Sequence, residues 1–340
     1  MADGTTGRST VRHDEGDRSR IPRRGVLAVS AAAGLGLLTG CGSDVASTDG
    51  KPRAGGSSPG KHSQSASPSP RRTKRRPQLP RGGRTLFPRY RLVGYCGLPG
   101  AAALGKLGTG DPGKRAAEIE KTARPYRAGR KTLPVLELLA TVANGSSGPD
   151  GKYRTRTPSD TIKRFHELAK KNDALLLLNI QPGRAAMLDE VKALHDWLVH
   201  PDVGVALDPE WDMGPGQVPG NSYGNTGGGE INDIADYLSG IIDDHDLPEK
   251  PLVFHQVASS VVSDEHKLRT APGVVLIKSA DGIGSPGLKR GTWQTLVKDL
   301  PEDVHTGFKL FYEEDAKTSR LMKAKEVLAL KPEPEYVMYE

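Results

Sequence analysis

The sequence predicts an α/β fold, a (β/α)8 barrel of the TIM type lacking its last helix. Three observations point there. Eight short apolar runs follow residue 85, helical periodicities separate most of them, and residues 85–340 amount to about the 250 residues usual for one such barrel. Alternating strand and helix argues for parallel pairing, and continuous apolar runs suit strands covered on both faces. An open doubly wound sheet is the competing architecture, but no G-x-G-x-x-G opens a helix after the first strand to favour it.

In chain order, the first element is a targeting segment, residues 1–41. Arg20 and the pair Arg23-Arg24 precede GVLAVSAAAGLGLLTG, which is short for a membrane-spanning helix of about 20 residues and ends at Cys41. Leu38-Thr39-Gly40-Cys41 resembles the bacterial lipobox, and Arg23-Arg24-Gly25-Val26-Leu27 resembles a twin-arginine export signal, with Val where Phe is usual. The resemblance implies that Cys41 carries diacylglycerol and further acyl chains such as palmitate. The chain would then sit on the extracytoplasmic face of the cell membrane. Cys96 would be the one thiol left, so no internal disulfide could form and the fold must rest on its core.

Residues 42–84 hold no aromatic and hardly an aliphatic residue, and are expected to form a disordered tether. Charge marks the boundary. The net +7 divides as +2 for residues 1–41, +8 for the tether and −3 for residues 85–340. Basicity that resides in the tether gives no reason to expect a nucleic-acid partner. The RRTKRR cluster suits anionic headgroups or anionic wall polymer.

The eight expected strands are RLVGYCG (91–97), TLPVLELLATV (132–142), ALLLLNIQ (174–181), VGVALDPEW (203–211), PLVFHQV (251–257), VVLIKSADG (274–282), TGFKLFYEED (306–315) and EYVMYE (335–340). Five segments between them place apolar residues at i, i+3 and i+4, beginning at AAEIEKTARPYRA, SDTIKRFHELAKK, AAMLDEVKALHDWLV, EINDIADYLSGIIDDH and LKRGTWQTLVKDL. Ser159 and Asp160 are placed to cap the second. The fifth and seventh strands leave room only for short helices. Nothing follows the eighth, so part of the region before Arg91 is expected to stand in for the missing helix.

Strand alternation puts Gly204, Ala206, Asp208 and Glu210 on one face and Val203, Val205 and Leu207 on the other. With the branched residues under the helices, the two acids point into the barrel mouth, at the end where barrel enzymes keep their chemistry. The same reasoning brings Glu137, Asn179, Gln181, His255 or Gln256, Lys278 or Asp281, and Lys309 with Glu313 or Glu314 to that rim. Tyr95, Trp211 and Tyr312 lie near strand ends, where a ring could stack on a sugar. Each acid alone could equally be a helix cap or an ion-pair partner. Carboxylates held together push their proton affinities apart, as glycoside hydrolysis requires. Glu210 is then the expected general acid, Asp208 its partner, and Glu314 or Asp281 the opposing carboxylate.

The Asp208-Pro209-Glu210 stretch resembles the Asp-x-Glu of barrel glycosidases of the chitinase and lysozyme-like kind, which implies Glu as proton donor assisted by Asp. The fuller chitinase pattern has two aspartates where this chain has Gly204 and Val205. Over its whole length, through YCGLPGAAALG, NIQPGR, ALDPEWDMGPGQVPG, HQV, ADGIGSP and FKLFYEED, the chain resembles a group of uncharacterised actinobacterial lipoproteins. That implies a lipid anchor and no particular activity. Carbohydrate or wall polymer is the expected partner of a monomeric barrel without cofactor or metal. Rival readings are a Schiff-base aldolase using Lys278, a metal hydrolase in which His255 is the sole strand-end histidine, and a lipoprotein that binds glycan without cleaving it.

Overall fold

The computed structural model describes residues 76–340. The export signal, Cys41 and the first part of the expected tether lie outside the described residues. Eight parallel strands form the core: β1 (Tyr90–Gly97), β2 (Lys131–Ala143), β3 (Leu175–Ile180), β4 (Val203–Leu207), β5 (Lys250–Gln256), β6 (Val274–Ala280), β7 (His305–Leu310) and β8 (Tyr336–Tyr339). Each pairs with the next, and β1 pairs with both β2 and β8, so the sheet closes into a (β/α)8 barrel.

Alternation sorts the side chains. Leu92, Leu133, Val135, Leu177, Val253, Ile277, Tyr336 and Met338 form the interior cluster, whereas Val93, Leu136, Leu178, Val205, Leu252, Phe308 and Val337 pack under the helices. Gly94 and Gly204 occur where strands crowd. A Cβ on Gly94 would sit 2.1 Å from the Val135 carbonyl oxygen, and one on Gly204 would sit 2.7 Å from Pro251 Cγ.

The helices are α1 (Pro112–Ala123), α2 (Ser159–Lys171), α3 (Met187–Lys192), α4 (His195–Leu198), α5 (Gly228–Asp244), α6 (Pro286–Leu296), α7 (Glu314–Thr318) and α8 (Ala324–Val327). Asp111 caps α1 by accepting from the Lys114 amide, which starts that helix before the first periodic residue. The cap expected at Ser159 or Asp160 is absent, because Pro158 holds the N-cap position and both polar residues fall inside the first turn. The third expected helix is broken into α3 and α4 around Leu194. After β5 come only 3-10 turns and a two-residue strand, Val262–Ser263, that pairs with Thr226–Gly227. Among the described residues no helix is long and apolar enough to cross a membrane.

Described residues before the expected boundary at residue 84 pack against the barrel. Leu79 and Leu86 bury themselves in the interior cluster, and Tyr90 donates to the carbonyls of Arg81 and Gly82. Arg81 donates to the Thr132 carbonyl and to Glu120, while Arg84 donates to the Leu247 carbonyl. Leu79, Arg81 and Arg84 thus join Pro77–Arg84 to the barrel. This stretch meets the N-terminal ends of the strands and does not replace the missing helix. The outer face of β1 and β8 is covered instead by tyrosines: Tyr126 and Tyr339 share a 2.6 Å hydrogen bond, and Tyr312 stacks on Tyr339.

Candidate active site

At the C-terminal ends of the strands the inward positions change from apolar to polar. Cys96, Glu137, Asn179, Gln181, Asp208, His255, Ser279, Asp281 and Lys309 are all buried there. Asp208 follows the last residue of β4, still on the inward side. It accepts from Asn179 Nδ2 at 3.0 Å and from Gln181 Nε2 at 2.9 Å, two amides offered by successive inward positions at the end of β3. Asn179 Nδ2 also donates to Glu137 Oε1 on β2 at 3.1 Å. One amide nitrogen thus spans two carboxylates on the flanking strands. Glu137 Oε1 and Asp208 Oδ1 are therefore no more than about 6 Å apart.

His255 on β5 stands between Glu137 and a third acid, Asp281. Its Nδ1 lies 3.0 Å from Asp281 Oδ2, and its Nε2 approaches Glu137 Oε1 at 3.1 Å. Ser279 donates to Asp281, and Tyr336 donates to Glu137 through a short contact. Lys309 on β7 completes the ring, 2.7 Å from Glu340 Oε2 and 3.4 Å from Asp281 Oδ2. A nitrogen facing a carboxylate on each side keeps both ring protons on His255.

The electrostatics follow from that packing. Burial alone would neutralise His255, but Asp281 and Glu137 outweigh it and hold its pKa well above the usual histidine value. Burial likewise opposes ionisation of Glu137 and Asp281. The charge of His255, with Lys309 behind it, prevails, and both acids stay below the usual carboxylate range. Lys309 is held well above its ordinary value, against burial, by Cys96, Glu340, Asp281 and Asp208. The Cys96 thiol is pushed up chiefly by burial.

Several expected site residues sit elsewhere. Tyr95 and Tyr312 belong to the outer tyrosine cluster, where Tyr95 donates to or accepts from Thr122 and Lys106 lies over the Tyr312 ring, so neither is a sugar platform in the mouth. Gln256 and Lys278 alternate outward and both bind Glu265, at 2.7 and 2.6 Å. An ion-paired lysine under the helical layer removes the placement on which a Schiff base depended. β7 ends at Leu310, so strand alternation does not extend to Glu314, which opens α7. The acid that enters the mouth beside Lys309 is Glu340, and Asp315 next door is taken by Lys289 at 3.0 Å. Glu210 is buried but leaves the strand on the 3-10 turn Pro209–Trp211, so alternation does not set its direction. In the same turn Trp211 is half-buried, with Nε1 sheltered and lacking a hydrogen bond.

Sequence reasoning missed Glu340, Ser279, Tyr336 and Asp212. The first two continue the inward alternation of Met338 and Asp281 and could have been read that way. Asp212 could not, because its character comes from the loop after β4. There it accepts from Thr226 and is pushed up to about 7, mainly by burial, with Glu230 adding to the rise. Among the described residues no His, Cys, Asp and Glu cluster could hold a metal ion.

No family model and no curated protein matches the sequence. Among solved structures, the chain is similar to a trimodular endoglucanase of the GH5_4 subfamily, at 12% identity and a TM-score of 0.32. The alignment covers 70% of this chain and 42% of that one, so this chain spans less than half of the endoglucanase's length.

Proposed function

We propose that the protein is an exported lipoprotein, anchored at the extracytoplasmic face of the cell membrane through Cys41, whose barrel acts on envelope or extracellular glycan by carboxylate chemistry. The observation that supports this most is the pairing of Asp208 and Glu137 across one amide nitrogen in a polar barrel mouth. Glu210 is the proposed proton donor and Asp208 its partner. Glu137 takes the opposing place first given to Glu314 or Asp281, since one Asn179 amide nitrogen joins it to Asp208, while His255 pairs with Glu137 and Asp281 alike. Non-catalytic glycan binding is the second reading, favoured by those same ion pairs, which neutralise part of the acid ring.

The deciding experiment incubates the protein with a panel of envelope glycans and compares it with Glu210→Gln and Asp208→Asn. Hydrolysis predicts sugar release by the wild type and a loss of at least about 100-fold in the Glu210 variant. Binding without release by any of the three supports the second reading. Equal release by all three refutes the assigned acids. For the anchor, Cys41→Ser is expected to move the protein from the membrane fraction to the soluble fraction on cell fractionation, and unchanged membrane retention would refute lipidation there.

A further inference from the structure

Charge is unevenly divided around the barrel. Residues 77–200 hold 21 basic and 11 acidic residues, a net +10, whereas residues 201–340 hold 13 and 24, a net −11. Part of the excess cation gathers at the N-terminal ends of β1, β2 and β3, the end opposite the candidate active site. Arg89 immediately precedes β1, Lys131 opens β2, and the Lys131 amide donates to the Arg89 carbonyl. The turn before Lys131 carries Arg124, Arg127 and Arg130, and α2 ends on Lys170 and Lys171. Arg81 joins these pieces. Its guanidinium donates to the carbonyls of Thr132 and Asp173, and it shares Glu120 with Arg127, at 2.7 and 3.5 Å. Arg130 is engaged by Glu335. Arg89, Arg124, Arg127, Lys131, Lys170 and Lys171 are all exposed, and among the described residues only Arg127 of these six has an ion-pair partner. Five cations therefore face solvent uncompensated. Like charges gathered on one face repel, and an anionic partner relieves that repulsion.

We propose that this face docks the barrel on a membrane surface rich in anionic lipid. The cations stand on three separate chain segments instead of one loop, as suits a plane of many headgroups, and each Lys or Arg brought near such a surface strengthens binding about five-fold. The chain enters the barrel at this same end, where Pro77–Arg84 is held through Leu79, Arg81 and Arg84, so the basic stretch RRTKRR leads in sequence directly to the proposed face. Residues 201–340, with their net negative charge, are repelled by the same surface, which selects one orientation. In that orientation the C-terminal ends of the strands, with Glu137 and Asp208, point away from the bilayer and stay open to a large substrate. The docking face goes beyond the anchor reading above and does not require lipid on Cys41.

The test is co-sedimentation of the full chain carrying Cys41→Ser with two kinds of vesicle, pure phosphatidylcholine and an equimolar mixture of phosphatidylcholine and phosphatidylglycerol. At low salt the mixed vesicles are expected to bind about ten-fold or more tightly than the neutral ones, and high salt should abolish the difference. Arg89→Gln, Arg124→Gln, Lys131→Gln, Lys170→Gln and Lys171→Gln combined should weaken binding to the mixed vesicles by about ten-fold or more. Arg290→Gln, Lys298→Gln, Lys317→Gln, Lys325→Gln and Lys331→Gln combined remove as many exposed cations from the acidic half and should change it by less than about two-fold. No preference for the mixed vesicles, no loss in the first variant, or equal losses in both overturns the docking face. Binding to poly(glycerol phosphate) but not to the mixed vesicles overturns it in favour of wall polymer. Should the first variant fail to fold, Lys170→Gln with Lys171→Gln is read the same way, with a loss of about five-fold or more expected. Every arm lacks lipid on Cys41, so failure here leaves the anchor reading standing, and that reading is tested separately by cell fractionation.

Discussion

Replacing His255 by glutamine removes the one cation that lies between Glu137 and Asp281. Each contact is near 3 Å, and an opposite-charge pair at such range is worth roughly 5 kcal/mol at an effective dielectric constant of about 20. Relief of the buried imidazolium offsets part of that loss. Breaking a buried pair from one side leaves a net cost of about 3–5 kcal/mol. The pH dependence has a definite sign. Glu137 and Asp281 have lowered values, so their contribution is present above the unfolded values near 4 and is lost as pH falls through the folded ones. His255 has a raised value, so its contribution is complete below about 6.5 and fades as pH rises toward the folded value. In the variant the stranded carboxylates regain protons on acidification. The deficit in urea-unfolding free energy should therefore peak near pH 6 and shrink at both pH 4 and pH 9. Adding Glu137→Gln to His255→Gln should recover part of it. A deficit below about 1 kcal/mol, or one that does not vary with pH, would refute the charged state assigned to His255.

Asp212, pushed up to about 7 by burial, binds its proton more tightly folded than unfolded, so its contribution is present at pH 3.8 and is lost as pH rises through 7. Asp212→Asn should match the wild type at pH 4 and exceed it by on the order of 2–4 kcal/mol at pH 8, read from thermal midpoints across that range. A variant less stable than wild type at pH 8 would count against this. Gly94→Ala drives a Cβ into the Val135 backbone and should lower the unfolding free energy by about 3 kcal/mol or abolish soluble protein. Its control is Gly229→Ala in α5, where a Cβ meets nothing within 4 Å and stability should hold or rise by up to about 1 kcal/mol. Similar behaviour of the two variants would contradict the tight approach of β1 to β2.

The barrel and the rim acids were legible in the sequence for one reason: strand alternation is local, and a buried strand shows its period in its own residues. Glu137, Asn179, Gln181, Asp208, Lys309, His255 and Asp281 are all buried at the C-terminal ends of the strands, on the inward faces this period gives them. It failed where the strand ended sooner than the pattern. Pro209 turns the chain into a 3-10 turn before Glu210, and β7 stops at Leu310, four residues short of Glu314. Tyr95 and Tyr312 were misread because strand-end position alone does not say which face an aromatic ring takes, and here the uncovered seam between β1 and β8 needed filling.

What the sequence determined by itself was the count and direction of the strands and the kinds of side chain lining the barrel, since these depend on periodicity and composition. Only the tertiary structure decided which acids share a proton donor, which cation neutralises them, and that Pro77–Arg84 belongs to the fold. Those outcomes depend on distances between residues tens to hundreds of positions apart. Charge interactions and buried hydrogen bonds change steeply over a few ångströms, a scale that no local pattern encodes.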